Sequence, residues 1–312
     1  MNIGGTADLT LSGAINGAGS LVKNGTANLT LSNTNGYLGG TVLNGGTLTL
    51  TNAGAIGTGD LTVGGTATLT GTAPLVLANA VHLNAGLTLA GNNPTTLSGV
   101  IDGSGSLTKT GSGTLTLGAG NSYGGGTVLS AGTLVLGNAT ALGSGTLSTA
   151  AGTTLDTTGA YTVGNSLSLT GQLNIAGSNP LALTGNITGS GGLNKNGAGS
   201  LALSGNNNFL GSTNLNAGSL VVGSNTALGS SVLNTAANTV LDASAAVSLS
   251  NQLNLAGNLG IGGSANLGLS GLITGAGGLT KNGAATLTLN GANNYQGGTT
   301  LNAGGLVAVS YT

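Results

Sequence analysis

Lys23, Lys109, Lys195 and Lys281 stand 86 residues apart, and Tyr37, Tyr123, Phe209 and Tyr295 keep the same step, each at one constant remove beyond its lysine. A fixed period of this kind constrains a fold more than any local propensity does. No insertion or deletion disturbs it, although side chains between the landmarks vary freely. Tolerance of residue change without tolerance of length change is expected when each residue stacks on a counterpart in a neighbouring coil. The period divides the chain into a partial unit 1–18, full units 19–104, 105–190 and 191–276, and a partial unit 277–312. Together they read as a single continuous solenoid.

Within a unit the pattern has period two. Thr47-Leu48-Thr49-Leu50, Thr114-Leu115-Thr116-Leu117, Thr133-Leu134-Val135-Leu136 and Thr286-Leu287-Thr288-Leu289 alternate polar and apolar, which predicts short strands with one face in a core. Pairs such as NG, GG, AG and SG lie between them and supply turns. No stretch has helical spacing. A sandwich has no reason to hold an 86-residue register, whereas a right-handed parallel β-helix does. The expected fold is therefore all-β, a β-solenoid. With roughly 21 to 22 residues per coil, each unit holds about four coils, and three larger coils are the alternative count. On the four-coil reading, the landmark lysines are expected on one line, about four coils apart.

Composition narrows the function. The chain has 64 glycines, three prolines, no cysteine and 2% aromatic residues. There is no Gly-X-Y period, which excludes collagen, and 39% hydrophobic residues are too many for a disordered linker. Four lysines, five aspartates and one histidine give a net charge of −1, so no electrostatic footprint for nucleic acid exists. Disulfide and cysteine-metal sites are excluded. No run of 18 or more apolar residues is present, and Met1 is followed by neither a basic nor an apolar stretch, so no signal peptide is read and the chain is expected to be a segment of something larger. With so few ionisable groups, stability should hardly change from pH 4 to 9.

The stretch Gly275-Ala-Gly-Gly-Leu279-Thr-Lys281-Asn-Gly283, Leu287-Thr-Leu289-Asn-Gly291-Ala-Asn293-Asn-Tyr295-Gln-Gly297-Gly-Thr299, Ala303-Gly304-Gly-Leu306 resembles the autotransporter-associated β-strand repeat, also called the passenger-associated transport repeat. Copies begin near Gly19, Gly105, Gly191 and Gly277, and the third departs with Phe209 and Ser200-Leu201-Ala202-Leu203. The resemblance implies a secreted passenger of a Gram-negative type V secretion system, exposed at the cell surface. In such passengers the repeat is associated with secretion and folding. No membrane β-barrel follows within the chain, so any membrane attachment would run through a barrel outside this segment.

Candidate sites are few. His82 is the only histidine, and Asp60 and Asp102 are not at ligand spacing in the sequence, so a surface or satisfied histidine is preferred over a base or metal ligand. Asp156 and Asp242 alone among the aspartates share repeat phase. No GxSxG motif occurs. The chain is read as a non-enzyme with no cofactor and no metal. The lysine column is a sparse binding stripe or, preferably, a structural device closing a turn or limiting aggregation. The aromatic column offers contact with a sugar or partner surface, or corner packing, which Phe209 favours. Asn24, Asn196 and Asn282 suit turn caps or amide ladders, interrupted by Thr110. The function expected is a rigid surface stalk or adhesin scaffold, with glycans or proteins of a host or cell surface as partners. The alternative is a self-assembling extracellular fibre or biofilm-matrix protein stacking end to end. An ice- or sugar-surface binder using Thr-x-Thr rows ranks below both, because Ser200-Leu201-Ala202 interrupts the row.

Overall fold

The computed structural model describes residues 1–308, so the last four positions of the unit 277–312 lie outside the described residues. Strands of two to five residues, such as Asn16–Gly17, Leu21–Lys23 and Ala67–Gly71, pair in parallel throughout. The chain is an all-β solenoid of stacked coils, and no α-helix occurs among the described residues. A single turn of 3-10 helix, Ala53–Ile56, replaces a strand in one coil.

The chain divides into two compact units, Met1–Ser148 and Thr149–Thr312. In the first, each complete coil turns through three faces. The first face stacks Leu21–Lys23, Thr41–Leu43, Leu61–Val63, Val81–Leu83 and Ile101–Asp102. The second stacks Asn28–Leu31, Thr47–Leu50, Ala67–Gly71, Leu87–Ala90, Leu107–Lys109 and Thr127–Leu129. The third includes Leu75–Leu77, Thr95–Leu97, Thr114–Leu117 and Thr133–Leu136. Strict alternation sends Leu29, Leu48, Leu69 and Leu89 inward in one register column. Each buried leucine contributes roughly 1.5–3 kcal/mol relative to exposure, so a narrow aliphatic column suffices without large rings.

The second unit repeats the plan. One face stacks Tyr161–Val163, Leu181–Leu183, Ser200–Leu203, Ser219–Val222, Thr239–Ala243, Leu259–Ile261 and Leu279–Lys281. Another stacks Leu173–Ile175, Leu193–Lys195, Thr213–Leu215, Leu233–Thr235 and Leu253–Leu255. A third includes Val247–Leu249, Leu267–Leu269 and Thr286–Leu289.

Register corrects the coil length and, with it, the lysine line. Leu21 pairs with Thr41, Thr41 with Leu61, Leu61 with Val81 and Val81 with Ile101, so the chain returns to the same face after 20 positions, the separation that Asn35 and Ala55 also bridge. Other columns step by 19 or 21, as at Leu29 with Leu48 and Leu48 with Leu69. The 86-residue period is therefore four coils and about one strand more. Within each compact unit the second repeat starts one face further round than the first. Lys23 lies in the first face of its unit and Lys109 in the second, and Lys195 and Lys281 likewise occupy successive faces of theirs. Lysine does not stack on lysine: the register neighbours of Lys109 are Leu89 and Leu129, and those of Lys195 are Ile175 and Leu215.

Candidate functional site

The landmarks that define the repeat point inward. Lys23, Lys109, Lys195 and Lys281 are at most 3% exposed. Each ammonium group donates to backbone carbonyls at a coil corner. Lys109 Nζ reaches Thr110 O at 2.6 Å and Gly111 O at 2.7 Å. Lys23 donates to Gly25 O and, at 3.2 Å, to Gly45 O one coil on. Lys195 uses Gly197 O and Ala217 O, and Lys281 uses Gly283 O and Ala303 O, in the same way. No lysine forms an ion pair among the described residues. Burial lowers the pKa of Lys23, Lys109 and Lys195, partly offset at Lys23 by the charge of Asp8. The carbonyl dipoles are thus what holds these cations in the interior.

The aromatic column is also interior. Tyr37, Tyr123 and Phe209 are buried, and Tyr295 is half-buried. The tyrosine hydroxyls meet the hydroxyl of the threonine four residues on: Tyr37 with Thr41 at 2.7 Å, Tyr123 with Thr127 at 2.6 Å, and Tyr295 with Thr299. Burial raises the pKa of Tyr37 and pushes that of Tyr123 up to about 12, with the threonine bond opposing the shift in each case. Phe209 has no hydroxyl to offer, and Thr213 Oγ1 is left buried without a partner among the described residues. Neither column forms a continuous exposed stripe, and Tyr295 is the one member that is partly open to solvent.

A third landmark carries as much of the corner and had no role assigned to it from the sequence. Asn35, Asn121 and Asn207 are buried. Asn121 Oδ1 accepts the Ile101 N–H at 2.8 Å, and its Nδ2 donates to Ala141 O at 2.6 Å. Asn35 joins Ile15 to Ala55, and Asn207 joins Ile187 to Ala227, by the same pair of bonds. Asn293 Oδ1 accepts from Ile273 N–H at 3.0 Å. One amide therefore ties three successive coils where the sheet pauses. Its place in the sequence, just ahead of each aromatic, was visible; its partners a full coil away on either side were not.

Outward polar residues also fasten coils. Asn24 accepts from Asn44, Asn196 from Asn216 and Asn282 from Asn302, at 2.7–2.8 Å. A longer ladder runs through Asn174, Asn194, Asn214, Asn234 and Asn254. Burial pushes the Asp242 carboxyl up, but hydrogen bonds from Ser264 and from the Ala243 and Gly263 N–H groups outweigh it and hold the pKa low.

The structure brings His82 between Asp60 and Asp102, residues that sequence spacing had set aside as partners. Nδ1 lies 2.7 Å from Asp102 Oδ1 and Nε2 lies 3.2 Å from Asp60 Oδ2. Residues one coil apart along the chain become adjacent once the coils stack. The bonds to Asp102 and then Asp60 raise the His82 pKa. A histidine with a carboxylate on each nitrogen is best satisfied as imidazolium, donating twice. It is a surface clasp across three coils, with 38% of the side chain exposed. No grouping of three or more His, Cys, Asp or Glu residues suited to a metal ion occurs among the described residues.

Buried lysine, buried asparagine bridge and tyrosine–threonine pair, repeated every 86 residues, define a parallel β-solenoid fastened from within at its corners. The four stretches that carry these corners are passenger-associated transport repeats: the family model of that name matches residues 21–50, 107–136, 193–222 and 279–308. No curated protein and no solved structure gave a match.

Proposed function

We propose that this chain is a non-catalytic segment of a secreted, surface-exposed autotransporter passenger, serving as a stiff scaffold whose repeats promote folding during export. The observation that carries the reading is that the repeat landmarks are turned inward and spend their polar groups on bonds within the chain. Side chains selected for a ligand would face solvent, whereas these close corners between coils. The repeat class supports the assignment to a passenger. No helix among the described residues is long and apolar enough to cross a membrane. Corner fastening lets a coil lock onto the one before it, which suits a chain that emerges gradually and gains stability coil by coil.

The test is surface display of corner and face variants from one passenger, fused to the same translocation barrel. Asn121→Ala, at a corner, is expected to reduce the folded, protease-resistant passenger at the surface severalfold. Thr108→Ala, on an outward strand position, is expected to leave it unchanged. Equal display of the two would remove the proposal.

A further inference from the structure

The second unit carries two surface grooves that the corner chemistry does not use, and they occupy the same place in successive repeats. One has Thr162, Ala182 and Ala202 as its outward column, flanked by Tyr161 and Pro180. The other, one repeat further on, has Ser248, Gly268 and Thr288 as its outward column. In the first unit the corresponding positions are Val76, Thr96 and Thr116, all with branched side chains. The outward column at this place therefore differs from one repeat to the next.

The later groove is the larger, about 380 Å³. Buried Val247 and Leu267 lie beneath it, and Gly268 opens its middle. Asn225, Asn266 and Asn290 stand around it. Two of these amides are oriented in advance. Asn225 Oδ1 accepts the Ser248 N–H at 2.9 Å, and Asn266 Oδ1 accepts the Thr286 N–H at 2.9 Å. Their Nδ2 groups make no hydrogen bond to another described residue, so each presents fixed donors at the rim. No charged side chain lines the groove.

We infer that this groove binds a neutral carbohydrate. Pinned amide donors suit hydroxyl, ring and carbonyl oxygens, and pre-orientation lowers the entropy lost on binding. The exposed lining of the groove is more apolar than polar, which suits the C–H face of a sugar ring, and a few placed polar groups fix the orientation of such a ligand. The absence of cations at the rim argues against a polyanion. The counterpart groove carries Tyr161 in place of Val247 and Pro180 in place of Asn266, a change from amide bonding toward ring contact within the same class of ligand.

The experiment is an NMR titration of the full chain with maltohexaose, cellohexaose and chitohexaose, with heparin as a polyanion. At least one neutral hexasaccharide is expected to shift the side-chain amides of Asn225, Asn266 and Asn290 saturably. Gly268 has no positive φ, and a Cβ there would meet first the Ser248 hydroxyl, at 3.1 Å. Gly268→Thr should thus fill the groove, with the Ser248 side chain giving way by a few tenths of an ångström, and weaken binding roughly tenfold or more, and a thermal melt checks that the variant stays folded. Asn290→Ala provides a second variant with the same expected direction. The inference is overturned if no neutral hexasaccharide moves those amides at about 10 mM, if only heparin does, or if both variants bind like the parent.

Discussion

At the scale of single residues, the third repeat contains its own test of the corner. Its Phe209 strands the Thr213 hydroxyl in the interior, while the other three repeats pair that hydroxyl with a tyrosine. Phe209→Tyr should restore the bond and raise stability by about 1 kcal/mol. Chemical denaturation checks this, and a loss of stability would mean that the third corner is shaped differently. Glycine has a fixed place in the same turn. Gly132 has φ +75° and its Cβ would lie 2.5 Å from Gly113 O, and Gly46, Gly218 and Gly304 share the conformation. Gly132→Ala meets both left-handed backbone strain and a backbone oxygen that cannot move aside, so it should cost at least about 2 kcal/mol. A thermal melt that overlays the parent's would contradict this.

At the scale of elements, three-residue strands hold because most pair on both sides and because corners are bridged where a sheet ends. Asn121 replaces two strand bonds where the first face pauses, satisfying Ile101 N–H and Ala141 O at once. Asn121→Ala leaves both groups buried and unpaired, and at roughly 1–3 kcal/mol for each such group the expected loss is about 3 kcal/mol. Hydrogen exchange should show the Ile101 amide losing most of its protection. If that amide stays protected, some other group has taken the place of the bridge.

At the scale of the whole molecule, titration is sparse and its signs differ along the pH axis. Asp242, with its pKa held low, stabilises above the ordinary carboxylate range, and that contribution is lost as pH falls through the lowered value. His82, with its pKa raised, stabilises fully below about 6.5, and the contribution fades as pH rises through the raised value. The lowered lysines bind fewer protons folded than unfolded, so their penalty lifts as pH climbs toward 10.5. Tyr123 acts oppositely: it stays protonated to about 12 while the unfolded chain ionises near 10, so stability falls across that interval. The expected profile is almost flat from pH 4 to 9, with a small step from His82, and declines above pH 10. Melting curves across this range check it, and His82→Asn should erase the neutral step alone.

Much of this was readable without coordinates. The 86-residue period and the Thr-Leu-Thr-Leu alternation required an all-β stack of coils, because only repeated stacking penalises a change of length. The direction of Lys23 and Tyr37 was not readable, since Lys in an alternating strand ordinarily marks the wet face. Here the carbonyls that satisfy it come from the corner turns, beyond the strand itself. Nor was the one-face advance per repeat, which needs the coil length to within a residue. Asn174, Asn194, Asn214, Asn234 and Asn254 recorded that length as a run of equal steps, but a landmark period of 86 masked it. Sequence by itself settled which residues are equivalent, because equivalence is carried by spacing along the chain. Which residues are neighbours, Asp60 with His82 and Asp102 or Asn121 with Ile101 and Ala141, was decided only when the coils closed, because hydrogen bonds act across a few ångströms of space and are indifferent to the length of chain between.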